Sequence, residues 1–385
     1  MMSEKLVAEK IRLLFLCPGY ARISRGVEVF LHELVERIDK TRFDVTILCC
    51  GDGRNDGVRF IRIQALNRSR IEPYDGGILL KLLKLLRLGS STEIESFVFS
   101  LGCARHLFQN RYDLMFPFGG YWSFQVTALL KKSAKIVSIG HAGPVRCELK
   151  FSDAFVAITD FALGQAREMV PQMPMAMIPN GVDLAKFHPV GGPRGERPPT
   201  ILCVAAFAVD KRHDLLVDAM IFLDRSVRLL CVGPGVMPVQ LSQHPLCSSH
   251  KVEFRCVTHE EMPEIYREAD VFTLPAPEEA FGIVFLEALA TGLNVVAHDG
   301  PRQRSVIGTP GFYCNVFDSK GYAEVLKKAL TTSHRDMNIK QASVFGWNKI
   351  VQRYQEFLSS LVLRRLVIGV KSPPQVLDTG LEQSP

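Results

Sequence analysis

The sequence predicts two α/β domains in tandem, each built on a parallel sheet, and three observations carry that prediction. Short apolar runs rich in branched residues alternate with helix-period stretches from end to end, which is the pattern of βα units. A segment dense in Pro and Gly, from Pro189 to Pro199, interrupts the alternation midway and suits neither helix nor strand. The length, 385 residues with 47% hydrophobic and 22% charged, fits two domains of ordinary size with sizeable cores and excludes a disordered or collagenous chain.

Taken in order, the periodicity places strands at 11–17, 44–50, 58–63, 112–116, 135–139 and 153–158, with helices near 27–40, 77–88, 93–109, 121–131 and 160–169 between them. After the break come strands at 200–205, 227–233, 251–256, 269–274 and 293–297, and helices near 211–222, 260–268, 283–291, 319–331 and 347–362. The expected organisation is a first domain over 1–188, a linker over 189–199, a second domain over 200–345, a last helix within 346–370, and a polar tail from 371 to 385. Open parallel sheets bind ligands at the carboxyl ends of their strands, so function is to be sought in the loops after strands.

Composition narrows the function classes. No run approaches 18 apolar residues and the start of the chain has mixed charge, so neither a spanning helix nor a signal peptide is expected. Ten cysteines include no C-x-x-C pair and several sit in apolar strand-like runs, as in Ile201-Leu202-Cys203-Val204. They read as reduced, buried small side chains of a cytosolic protein; a disulfide framework would need a secretory address, and a zinc site lacks its spacing. The formal charge of +6 lies wholly in the first half, where residues 1–190 hold 25 Lys and Arg against 19 Asp and Glu. Such a bias suits an anionic small molecule or an anionic membrane surface; without interleaved aromatic and basic residues, nucleic acid is the poorest fit.

Two loops carry candidate chemistry. The strand Ile11 to Cys17 runs into Pro18-Gly19-Tyr20 and then Arg25-Gly26-Val27-Glu28 at a helix start, where Gly lets backbone approach a ligand and free N–H groups face an anion. The same residues also suit a plain tight turn. More specific is the stretch from Ala269 to Ala297, in which a strand ends at Leu274, a loop carries Glu278 and Glu279, Phe281-Gly282 makes a turn, and a helix begins at Ile283 with Glu287 in its second turn. N–H groups at Ile283 and Val284 flanked by carboxylates suit a phosphate at the helix start with sugar hydroxyls on either side. A solvated Glu pair favoured by the helix dipole is the bland alternative.

This stretch resembles the E-x7-E signature of the retaining GT-B glycosyltransferases of family 4, with Glu279 and Glu287 as its acids. Ile178-Pro179-Asn180-Gly181-Val182-Asp183 with Phe187, Leu230-Cys231-Val232-Gly233-Pro234-Gly235, and Phe345-Gly346-Trp347 with Tyr354 resemble the family's interdomain, nucleotide-side and final-helix segments, so the likeness runs over about 11–360. It implies the GT-B fold, two Rossmann-like domains, and transfer of a sugar from a nucleotide-diphosphate-sugar to an acceptor with retention of configuration. By the same resemblance Glu287 holds the ribose, Glu279 the donor sugar, and the backbone of Phe281, Gly282, Ile283 and Val284 the sugar and diphosphate. Gly26 and Gly233 line the donor, Lys211 neutralises the diphosphate, and His141, in Ile139-Gly140-His141-Ala142-Gly143, lines the reacting face.

Three departures accompany these matches. Ala205-Ala206 stands where the family usually has Gly-Arg, the first loop reads Arg-Gly where many members have Gly-Gly, and Cys256 replaces a Gly. Arg25 and Arg212 are the cations that would substitute for the absent arginine. A catalytically silent protein that binds a sugar nucleotide or glycan is the alternative function that this absence raises. The chain has no Asp-x-Asp, so no metal and no cofactor is expected, with the sugar nucleotide as co-substrate. Lys81, Lys84 and Arg87 fall at three-residue spacing in a Leu-rich helical pattern, which suits either a core helix or a peripheral site on the inner face of an anionic membrane with a sugar or lipid-linked acceptor.

Overall fold

The computed structural model describes residues 9–23, 26–65, 88–189, 197–235, 241, 244, 246 and 252–363. They form two units: one comprises residues up to Ile178 together with those from Val351 on, the other runs from Pro179 to Ile350.

The first unit is a seven-stranded sheet: β1 Ile11–Leu16, β2 Phe43–Cys49, β3 Val58–Arg62, β4 Leu114–Pro117, β5 Lys135–Gly140, β6 Ala154–Ala157 and β7 Met175–Met177, in the order β3-β2-β1-β4-β5-β6-β7. Every pairing is parallel. Its helices are α1 Gly26–Arg37, α2 Ser91–Gln109, α3 Tyr121–Leu130, α4 Arg146–Leu149 and α5 Asp160–Met169. Strands buried on both faces must be apolar throughout, and Leu13, Leu14, Phe15 and Leu16 are indeed all buried. α2 starts with a capping box in which Ser90 Oγ accepts from the Glu93 amide and the Glu93 carboxylate accepts from the Ser90 amide.

The second unit has six parallel strands in the order β10-β9-β8-β11-β12-β13: β8 Thr200–Val204, β9 Arg228–Val232, β10 Val252–Arg255, β11 Val271–Leu274, β12 Asn294–His298 and β13 Phe312–Cys314. Around it lie α6 His213–Ala219, α7 Met262–Arg267, α8 Ile283–Ala290, α9 Pro301–Ile307, α10 Ser319–Thr331 and α11 Arg335–Val344. The last helix, α12 Trp347–Leu363, begins in this unit and from Val351 belongs to the first. There Tyr354 packs on Phe30 with ring centroids 5.6 Å apart, and Gln355 Oε1 accepts from the Asp39 amide at 2.7 Å.

The boundary between the units falls at Ile178 and Pro179, ahead of the Pro- and Gly-rich segment. Val182 exchanges backbone bonds with Phe345 and Trp347, at 2.9 and 3.2 Å, and Phe187 packs edge-on to Tyr266, so the stretch before the linker is tied to the second unit. Elements that the periodicity did not foretell are β7, β13, α4, α9 and α11. The two strands have three residues each, too short for a pattern. α11 hides because its buried positions include Asn338, whose amide donates to Leu293 O at 2.9 Å, where a pattern reader looks for a large apolar residue. The expected helix near 211–222 is a 3-10 turn, then α6, then a second 3-10 turn. The segment with Lys81, Lys84 and Arg87 lies outside the described residues.

Candidate functional site

In the second unit the strand order reverses between β8 and β11, and a crevice at the carboxyl ends of strands belongs at such a switch point. Two loops leave the sheet there, one after Val204 and one after Leu274.

The first loop rests on its neighbour. The Ala205 amide donates to Val232 O at 3.0 Å and the Phe207 amide to Pro234 O at 2.9 Å. Gly233 permits this approach, since a Cβ on it would stand 1.8 Å from Ala205 O. The loop then makes a 3-10 turn over Val209–Lys211 that ends at Arg212 in the left-handed conformation. Lys211 Nζ reaches Glu279 Oε2 at 2.9 Å and Asp210 Oδ2 at 3.3 Å. Burial alone would lower the Lys211 ammonium, but the Glu279 and Asp210 carboxylates outweigh it and hold it above the ordinary lysine range. Arg212 is engaged elsewhere: its guanidinium grips Asp214 through two nitrogens, at 3.0 and 2.8 Å, and lies over the Phe317 ring.

The second loop is held from the other side by α9. Gln303, which is buried, donates from its amide to Ala276 O at 3.1 Å and Pro277 O at 3.0 Å, while Arg302 pairs with Glu278 at 2.9 Å. Glu278 is 86% exposed whereas Glu279 is only 16% exposed, so of the two adjacent acids it is Glu279 that turns inward to the lysine. Gly282 closes the loop at φ +74°, where a Cβ would also stand 2.5 Å from the Phe285 ring, and no side chain caps the start of α8. Ile283 and Val284 open that helix, and Phe281 is buried against Phe345. Glu287, one turn on, is buried and accepts from the Tyr266 hydroxyl at 2.6 Å. Burial, reinforced by the Glu287 charge, pushes the Tyr266 phenol far up, so it remains a proton donor.

Sequence reasoning missed Tyr266 and Gln303. Neither carries a motif of its own, since each acts only through the element it packs against. Among the described residues no group of three His, Cys, Asp or Glu side chains is placed to hold a metal ion.

In the first unit the same reversal occurs between β1 and β4. Gly26 opens α1, with no atom within 4 Å of where its Cβ would be; Arg25 lies outside the described residues. His141 follows β5 directly, its ring edge-on to Phe30 at 4.6 Å, and its Nε2 is buried without a hydrogen-bond partner. Burial pushes its pKa down to about 4. Glu148, in the short helix just beyond, is pushed up to about 7 by burial, and nothing in the sequence signals it.

A pH prediction follows from His141. Its pKa is about 4 in the fold against 6.5 in the free side chain, so the neutral ring is favoured on folding. Its contribution is fully present above pH 6.5 and is lost as pH falls toward 4, because the unfolded chain takes up the proton first. The loss is on the order of 3 kcal/mol. Urea unfolding at pH 7 and at pH 4.5 is expected to show a smaller drop for His141→Gln than for the unsubstituted chain; equal drops would show that the ring is not shielded.

Comparison with known proteins supplies the family. The profile described as Glycosyltransferase Family 4 matches residues 24–186, and that described as Glycosyl transferases group 1 matches residues 198–332. Mannosylfructose-phosphate synthase of Agrobacterium fabrum is 29% identical over 207 residues, which make up 46% of this chain and 46% of that protein. A GDP-mannose-dependent alpha-(1-6)-phosphatidylinositol monomannoside mannosyltransferase of Mycolicibacterium smegmatis is 30% identical over 149 residues, 33% of this chain and 39% of its own. The chain thus spans less than half the length of these curated relatives. Sucrose-phosphate synthase from Thermosynechococcus elongatus superposes with a TM-score of 0.73 over 92% of this chain and 100% of its own, at 17% identity, which establishes the shared fold. With a matching profile on each unit and a parallel sheet of matching topology in each, the chain belongs to the glycosyltransferases of family 4, glycosyl transferases group 1, and has the GT-B fold.

Proposed function

We propose that the protein transfers a sugar from a nucleotide-diphosphate-sugar to an acceptor, with retention of configuration and without a metal ion. The observation that carries this reading is the Lys211–Glu279 pair at the switch point, beside the uncapped start of α8. In this reading the diphosphate takes Lys211 from Glu279, and the released carboxylate accepts hydrogen bonds from the donor sugar. Charge builds on the leaving diphosphate as the glycosidic bond breaks, and Lys211 with the N–H groups of Ile283 and Val284 stabilises it. Glu287, oriented by Tyr266, takes the ribose hydroxyls, and Gly233 serves the donor by letting the loop that carries Lys211 rest against the end of β9. The acceptor, a sugar or a lipid-linked sugar, belongs to the first unit with His141, while Gly26 keeps its part in lining the donor; the mycobacterial relative named above acts on a phosphatidylinositol monomannoside.

The test is a donor-hydrolysis screen over UDP-, GDP- and ADP-sugars, which reads turnover without knowledge of the acceptor. One donor is expected to be hydrolysed, equally with and without EDTA, and Glu279→Gln is expected to abolish this while leaving the unfolding temperature nearly unchanged. Wild-type turnover in that variant would overturn the site, and loss of turnover with EDTA would overturn the metal-free reading. Arg212's engagement by Asp214, with Ala206 in place of a basic residue, favours a second reading in which a sugar nucleotide binds without turnover. Calorimetric binding of a nucleoside diphosphate with no hydrolysis of any donor would select it.

A further inference from the structure

The outer surface of α2 and α3 carries large apolar side chains that the fold leaves uncovered. Leu101 is 52% exposed, Phe108 72% and Leu129 77%. Leu101 and Phe108 stand seven residues apart on α2, two turns along one face, and Arg105 lies between them on that side. Leu129 is in the last turn of α3, and three residues on Lys132 links it to Phe108: Lys132 Nζ donates to Phe108 O at 2.6 Å and stands 5.8 Å from the Phe108 ring centroid. Phe108 and Lys132 are thus neighbours, with Leu101 two turns back along the same face of α2 and Leu129 in the last turn of α3 ahead of Lys132.

The charge of this surface is one-sided. No Asp or Glu occurs from Phe97 to Tyr112 or from Tyr121 to Lys135, while Arg105, Arg111 and Lys132 are all exposed. The acids that flank these stretches are engaged or withdrawn: on α2 itself Glu93 closes the capping box and Glu95 is buried beside Arg22, Asp113 pairs with Arg12, and beyond Lys135 Glu148 is partly buried and Asp153 pairs with Lys131. An aqueous surface disfavours exposed Phe and Leu, and a protein partner of mixed charge does not explain a rim of a single sign. Apolar tips inside a basic rim match an anionic bilayer, where the tips enter the interface and the bases meet lipid phosphates. We infer that the α2–α3 surface of the first unit docks on an anionic membrane. No described helix is long and apolar enough to span one, so the docking is peripheral. The surface is separate from the proposed donor loops, which belong to the second unit, and its test does not depend on them.

The experiment is sedimentation of the full chain with phosphatidylcholine vesicles, with and without phosphatidylglycerol, at rising salt. Binding is expected only with phosphatidylglycerol and is expected to weaken as salt screens it. Arg105→Gln with Lys132→Gln is expected to lower the partition coefficient about tenfold or more, and Phe108→Ser with Leu129→Ser by a similar factor at any salt. All four positions are at the surface, so folding measured by circular dichroism should be unchanged, and donor hydrolysis reports separately on the other unit. Equal binding to neutral vesicles, or binding that survives both double substitutions, would overturn the assignment. Absence of vesicle binding, together with a concentration-dependent dimer in ultracentrifugation that Phe108→Ser abolishes, would assign the patch to a second copy of the chain instead.

Discussion

Lys211→Ala is expected to lower donor turnover about 100- to 1,000-fold, the loss of about 3–4 kcal/mol typical when a preorganised group facing developing charge is removed. Ala206 carries no charge, and Arg212 is held by Asp214 and Phe317, so in the described loop after β8 Lys211 is the cation paired with the Glu279 loop across the switch point. Removing the ammonium also leaves Glu279, largely buried, facing the phosphates with its charge uncompensated. The double variant Lys211→Ala with Glu279→Gln is therefore expected to bind UDP or GDP more tightly than Lys211→Ala alone, while recovering no turnover. That non-additivity marks a pair sharing one site. Additive effects on affinity, or turnover near wild type in Lys211→Ala, would remove the lysine from the diphosphate.

Much of this site was legible in the sequence because its parts are local. Glu279, Gly282 and Glu287 lie on one strand–loop–helix segment, where spacing alone sets their relative placement. Lys211 is 68 residues from Glu279, and only the adjacency of β8 and β11 brings the two together. A family resemblance named the lysine; nothing in its own neighbourhood distinguishes it from a solvated one. The supports were not legible for the same reason. Tyr266 orients Glu287 from α7, and Gln303 pins the Glu279 loop from α9, each across a gap in sequence that periodicity does not bridge. Arg212 shows the opposite failure. Its position beside Lys211 suggested a reserve cation, but the left-handed backbone at that residue turns the chain, and Asp214 two residues on takes the guanidinium.

Gly233→Ala is expected to cost nearly all nucleotide binding together with about 1–3 kcal/mol of stability, the usual range for forced overpacking. A methyl group at this position would stand 1.8 Å from Ala205 O and 3.2 Å from the Ala206 amide nitrogen, and both are backbone atoms that no rotamer change can move. Relief requires the loop after β8 to lift from β9. That breaks the bonds from the Ala205 amide to Val232 O and from the Phe207 amide to Pro234 O, and it displaces the turn that carries Lys211. Gly26→Ala is the internal control. No atom lies within 4 Å of its Cβ position, so the variant should unfold at the wild-type temperature, and any loss of turnover in it reports the close approach of a ligand. Thermal unfolding and calorimetric titration with UDP and GDP distinguish the two. Full nucleotide affinity in Gly233→Ala would show that the backbone contact between the β8 and β9 loops does not support the site, and a drop in unfolding temperature for Gly26→Ala would mean that its open surroundings are filled in the folded protein.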